Sequence, residues 1–297
     1  MSSIPHDPYG DADHPQEDVP PAMMLAAFEG WNDAGAAAST AVGMIAEEWQ
    51  AREARRIDPD NYHDFQVNRP VIERTPDGSR TLTWPATTIS VSTAPRSGRR
   101  LVLVRGTEPS LRWRAYCNEI LDAAEDLEAG TIVCVGALLA DVPHTRPIPV
   151  QTTSEDPRVQ ALLGLEDSDY EGPTGIVGVL AQMALDRGMH SLTIWAAVPH
   201  YVAQPPSPKA TLALLSGLEE LLGEPVPTAD LAEDSRAWQD GVNELAQEDP
   251  EVAEYVRQLE EAKDTAELPE ASGEAIAKEF ERFLRRRDAG GGPVSGS

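Results

Sequence analysis

Residues 22–49 read AMMLAAFEGWNDAGAAASTAVGMIAEEW. An apolar run opens the stretch and a helix-forming run closes it, so EGWNDAG at 29–35 is a strand-to-helix corner, with the helix expected over roughly 33–53. Asn32 and Asp33 suit such a corner, because either side chain accepts hydrogen bonds from the unpaired N–H groups of a first helical turn, while Gly30 relaxes the bend. Capping leaves Trp31 unexplained. An indole beside an acid at the carboxyl end of a strand is also what lines the ligand crevice of an open α/β sheet.

The alternation continues along the chain. VIERT and RTLTWP flank PDGS, a hairpin in which Pro and Asp-Gly supply the turn. TTISVS (87–92), RLVLVRG (100–106), TIVCVGALL (131–139), PIPVQTT (147–153) and SLTIWAAV (191–198) are further extended segments, and residues 57–70 read as a loop. Helices are expected over about 110–128, over 156–164, from GPTGIVG (172–178) to Gly188, and after the loop that begins at His200. Strands alternating with helices predict an α/β fold over 22–222, with a mostly parallel or mixed sheet and helices on both faces. Residues 223–287 carry only helical patterns and many acids, with a break at Asp249–Pro250 and a looser stretch at 268–273, so three helices are expected in this extension. Residues 1–21, acidic and Pro-rich, and the tail 288–297 are expected to stay disordered.

Composition narrows the functional classes. Fifty acidic against 24 basic side chains give a formal charge of -26, which repels phosphate backbones and anionic lipid surfaces. Nucleic acid and membrane are therefore poor partners. Two cysteines cannot frame disulfides in 297 residues, and Cys134 lies in an apolar run, so a reducing, cytoplasmic setting is expected. The first 21 residues hold five acids and no Lys or Arg, opposite to the basic start of a signal peptide.

No G-x-S-x-G elbow, H-E-x-x-H, P-loop or C-x-x-C occurs, which lowers the expectation of catalysis. What stands out is a set of polar, aromatic-bearing corners, each after a strand. Gly172, Gly175 and Gly178 open a helix whose free N–H groups suit an anion, although an ordinary tight entry turn is the commoner reason for such glycines. Asp141 and His144 follow one buried strand and His200 and Tyr201 another, so both pairs are expected to face one cleft. A His with a carboxylate suits acid–base work, but each His alone is more often a structural hydrogen-bonding group, and a metal needs three or four ligands. Glu108 and Arg112, with Trp113, begin a helix, where Glu108 favours the dipole and Arg112 is placed to clamp an anion or to form a surface salt bridge. No cofactor and no metal are implied.

FEGWNDAG (28–35), LVRGTEPSLRW (103–113), GALLADVPHTRP (136–147), GPTGI (172–176) and AVPHYVAQPPSPKATLALL (197–215) together resemble the proteasome assembly chaperone family in its bacterial branch. The resemblance spans about 22–222. It implies a fold similar to nucleoside phosphorylases, a helical C-terminal addition and a homotrimer. It also implies a role like that of the eukaryotic members, which are scaffolds holding proteasome α-subunits. Related proteins that dock through a tail end in a hydrophobic residue, a Tyr and one more residue. This chain ends PVSGS, so an assembly role is expected to use the folded surface.

Two readings follow. The first is a noncatalytic interaction or assembly module that self-associates and binds another cytoplasmic protein, with Val252, Tyr255, Val256 and Leu259 of the acidic extension offering an amphipathic face. The alternative is a small-molecule-binding protein or enzyme with a polar cleft at the strand ends, built from Trp31, Asp33, Glu108, Arg112, His144, Gly175 and His200.

Overall fold

The computed structural model describes residues 21–165, 170–228 and 230–267. The disordered N-terminal segment, the third helix of the extension and the tail expected from the sequence lie outside these residues, Pro21 excepted.

The central sheet has seven strands: β1 (Ala22–Glu29), β2 (Arg52–Ile57), β5 (Thr87–Thr93), β6 (Arg100–Thr107), β7 (Ala129–Ala140), β8 (Val150–Thr153) and β9 (His190–Pro199). A separate two-stranded arm is formed by β3 (Val71–Arg74) and β4 (Arg80–Thr83), as the PDGS turn predicts. The sheet order is β2-β5-β6-β1-β7-β9-β8. Four central strands, β6, β1, β7 and β9, run parallel; β8 closes one edge antiparallel to β9, and on the other side β5 runs antiparallel to β6 and the edge strand β2 antiparallel to β5. The mixed α/β sheet expected from the alternation is thus what the chain builds.

Among the described residues seven α-helices accompany it: α1 (Ala37–Glu48), α2 (Trp113–Asp126), α3 (Pro157–Leu163), α4 (Ile176–Asp186), α5 (Pro208–Leu222), α6 (Leu231–Glu248) and α7 (Pro250–Glu267). Leu25 and Ala27 of β1 pack with α1 and α5, while Met24, Ala26 and Phe28 pack with α2 and α4. Successive side chains of a strand point to opposite faces, so a strand covered on both faces reads as an unbroken apolar run. Cys117 and Cys134 are free and buried in the second of these layers, and burial pushes the Cys117 thiol up to about 12.

The first helix is shorter than its sequence pattern. It begins at Ala37 after a single 3-10 turn and stops at Glu48; Gln50 then takes a left-handed φ of 48°, and Arg52–Ile57 continues as the edge strand β2 rather than as helix. Arg, Glu and Ala favour helices locally, and it is pairing with β5 that overrides them. Five of the six β2 residues are exposed and four are charged, which blunts an open sheet edge.

The extension also departs from expectation. Tyr255 and Val256, read as part of a face for a partner, are turned inward: Val256 is buried, and the Tyr255 hydroxyl donates to Asp141 at 3.1 Å. Asp249 breaks the helical pattern as expected, and its carboxylate accepts the N–H of Glu251 at 2.9 Å.

Candidate functional site

The corner after β1 reverses the usual placement of its residues. Asn32 is 2% and Asp33 7% exposed, whereas Trp31 is 70% exposed. The reason lies in the neighbouring strands. Glu108 N–H donates to the Glu29 carbonyl at 2.9 Å and Ala137 N–H to the Asn32 carbonyl at 2.8 Å, extending the β6–β1–β7 ladder past the strand ends. Asn32 is thereby held inside the sheet, and its Nδ2 donates to Glu108 Oε1 at 2.7 Å. The same Oε1 accepts the Ile176 N–H at the start of α4, at 3.0 Å. A Cβ on Gly175 would stand 2.2 Å from Asn32 Oδ1, so only glycine lets α4 approach this closely.

Two sequence expectations are corrected here. Glu108 caps α4, 68 positions along the chain, rather than the helix that follows it. The GPTGIVG turn does not offer its first helical N–H to an external anion, because the Glu108 carboxylate already holds it. Asn32 caps nothing with its side chain. Asp33 caps α1, but one turn further in than its position suggests: Oδ1 accepts from Ala38 N–H at 2.7 Å and Ser39 N–H at 3.2 Å. Its Oδ2 is buried with no hydrogen bond, and burial raises the carboxyl above its ordinary value.

Above this lock lies an open cleft of about 1420 Å³ at the carboxyl ends of β1 and β7, lined by Trp31, Asp33, Leu138, Leu139, Tyr170 and Trp195 among others. Gly172 and Gly175 lie in its wall. Leu138, Leu139, Tyr170 and Trp195 were missed by sequence reasoning. The two leucines end the apolar run of β7, and the available signal was that this run outlasts the covered part of its strand.

Asp141, His144, His200 and Tyr201 do come together, but not at this cleft: the segments after β7 and β9 turn toward α6 and α7. Tyr201 accepts the His144 backbone N–H at 2.7 Å and lies 2.8 Å from its Nδ1, while His144 Nε2 lies 3.0 Å from Asn243 Oδ1. Asn243 Oδ1 can only accept, which places a proton on Nε2, and burial favours the neutral ring, in which Nδ1 accepts the Tyr201 hydroxyl proton. Lys209 Nζ donates to the His144 carbonyl and to Gln239 Oε1, both at 2.5 Å. Asp141 pairs with His200 at 3.1 Å, and Arg146 grips Asp264 at 2.7 Å and Glu260 at 3.2 Å. This cluster fastens the helical extension to the α/β domain. Arg112 stands apart from both: its guanidinium donates to Asn61 at 3.1 Å and lies 5.8 Å from the centre of the Tyr62 ring.

Burial pushes the His144 imidazole below its ordinary value, with Lys209 acting in the same direction and Asn243 and Glu260 opposing, and burial does the same to His63. A histidine depressed in the folded state binds fewer protons folded than unfolded, so its contribution is complete above the unfolded value of 6.5 and is lost as the pH falls through it toward the folded value. Thermal melts between about pH 7.5 and 5.5 should therefore show stability falling with acidity. His144→Gln should flatten part of that slope, and an unchanged slope would remove His144 as its source.

Among the described residues no three His, Cys, Asp or Glu gather as a metal would require, and no helix is long and apolar enough to cross a membrane. No curated protein matches the sequence. Solved structures do. A PAC2 family protein of Streptomyces avermitilis is 52% identical with a TM-score of 0.74, covering 79% of this chain and 99% of that one. A proteasome-assembly chaperone homologue of Mycobacterium tuberculosis is 48% identical with a TM-score of 0.72 at the same coverage. An archaeal homologue of proteasome-assembly chaperone from Pyrococcus furiosus, 16% identical with a TM-score of 0.53 over 82% of this chain and 96% of that one, shares the fold. The model of the PAC2 family matches residues 27–246, from the first strand through most of α6. By that match, which takes in both the corner lock and the cleft it supports, this chain belongs to the PAC2 family.

Proposed function

We propose that this protein is a noncatalytic, assembly-chaperone-like interaction module of the cytoplasm that self-associates as a homotrimer and binds another protein. Family membership and the relative described as a proteasome-assembly chaperone homologue support the class. The observation that carries the reading is a pair of separate apolar surfaces. One is the cleft rim, with exposed Trp31, Leu138, Leu139 and Tyr170; the other is the β3–β4 arm, with exposed Val71, Ile72 and Leu82 beside Trp84. A cyclic trimer is built from head-to-tail contacts, which require two different complementary patches on each copy. Exposed apolar patches of this kind mark association surfaces.

Sedimentation velocity from low to high micromolar concentration tests this. The wild type is expected to sediment as an oligomer, and Leu139→Glu on the rim and Leu82→Glu on the arm are each expected to yield monomer. Mixing the two variants should restore one intact contact and give a dimer. A wild type that stays monomeric across the range would refute self-association. Capture from native extract should return a stoichiometric protein partner for wild type; its absence would remove the partner from the reading.

The alternative, a small-molecule-binding cleft, is favoured by one observation: the unpaired, buried Oδ2 of Asp33 in a residue that lines the cleft.

A further inference from the structure

The cleft at Trp31 sits where parallel-sheet proteins hold anionic ligands, at strand ends and beside two helix N-termini. In this chain both N-termini are filled by its own carboxylates, Asp33 on α1 and Glu108 on α4. Among the described residues lining the cleft, Glu29, Asp33 and Glu155 carry acids, and there is no Lys, Arg or His. A phosphate or carboxylate ligand would meet repulsion with no compensating cation.

We propose that this cleft is a binding site for an organic cation, an alkylammonium or guanidinium carried on an apolar stem. The oxygen that lacks a donor is Asp33 Oδ2, buried in a residue only 7% exposed. A buried carboxylate oxygen without a hydrogen bond is costly, and a turn of the Asp33 side chain toward the cleft that it lines would let an N–H donor of a bound cation satisfy it. Aromatic faces complete the chemistry. Trp31, Tyr170 and Trp195 line the same cleft, and Trp195 is held by a 3.1 Å hydrogen bond from Nε1 to Thr193 Oγ1. Indole and phenol rings attract cations through their faces and cover methylene stems. The same chemistry is offered by a free amine and by a Lys or Arg side chain of another protein. Trp31 and Tyr170 also stand on the proposed association rim, so the titration is read on the Leu82→Glu monomer, whose cleft is unaltered, as well as on wild type.

Calorimetric titration with agmatine, with valerate as the anionic counterpart and with acetyl-Gly-Arg-Gly-amide, tests the site. Agmatine or the peptide should bind, valerate should not, and added salt should weaken binding. Tighter binding of the peptide assigns the cation to a protein side chain, and tighter binding of agmatine assigns it to a free amine; both support the site. Asp33→Asn keeps an oxygen able to cap α1 and removes the charge, and Glu155→Gln changes an exposed residue. Each should weaken binding by roughly tenfold. If Asp33→Asn fails to fold, Glu155→Gln carries the comparison. No binding of either cation, or undiminished affinity in every folded variant of the two, overturns the proposal. Sedimentation reads oligomeric state separately, so failure here is distinguishable from failure of self-association.

Discussion

Glu108→Ala is expected to lower the stability of this protein by about 2–4 kcal/mol, a melting shift of about 5–15 °C. One carboxylate oxygen accepts both Asn32 Nδ2 at 2.7 Å and Ile176 N–H at 3.0 Å, and Asn32 is 2% exposed. Removing it leaves a buried amide without its acceptor and uncaps α4. Each stranded donor costs about 1–3 kcal/mol and a lost cap typically about 1 kcal/mol. Glu108→Gln retains an acceptor oxygen in the same place and should cost roughly 1 kcal/mol, chiefly from the lost charge at the helix end. Urea denaturation of the three proteins measures the difference. An alanine variant within about 0.5 kcal/mol of wild type would mean that water replaces the carboxylate without loss, and the lock would lose its energetic standing.

Gly175→Ala attacks the same lock from the opposite side. The backbone at Gly175, φ -94° and ψ -173°, is open to any residue, so the substitution is not penalised by its own conformation. The cost comes from space, because the added methyl would lie 2.2 Å from Asn32 Oδ1 and 2.4 Å from its Nδ2. Either α4 backs away from the corner or Asn32 leaves Glu108, and a loss of about 2–3 kcal/mol is expected. A double-mutant cycle with Asn32→Ala isolates the cause. Truncating Asn32 makes room for the methyl, so the two changes together should cost less than their sum by at least about 1 kcal/mol. Strict additivity would show that Gly175 matters for another reason.

The fold was legible wherever burial on both faces left an unbroken apolar run, as at β1 and β7, and wherever Gly or Pro punctuated the chain, as at Gly188, Gly223 and the PDGS turn. The strand β2 was not, because REARRI is helix-forming by composition and becomes a strand only through its partner β5. The site divided in the same way. Asp33 as a cap of α1 follows from short-range chemistry, and the companionship of Asp141, His144, His200 and Tyr201 follows from their strands lying side by side. Which helix Glu108 serves, and that the histidine cluster faces the extension instead of Trp31, depends on contacts 57 to 99 positions apart in the chain. Local periodicity carries no record of those.

The place of β1 in the sheet bears on how the protein is made. The first strand among the described residues ends up fourth of seven, flanked by β6 and β7. At synthesis rates of roughly 5–20 residues per second, the about 70 residues between β1 and β6 keep that apolar segment waiting for several seconds. It emerges without a mate on either edge or a helix layer on its second face, since α2 and α4 are later still. A nascent chain halted before Arg100 holds this apolar strand with neither of its sheet neighbours, β6 and β7, to receive it. This assembly-chaperone relative is thus itself a polypeptide whose early life invites the attention of general chaperones.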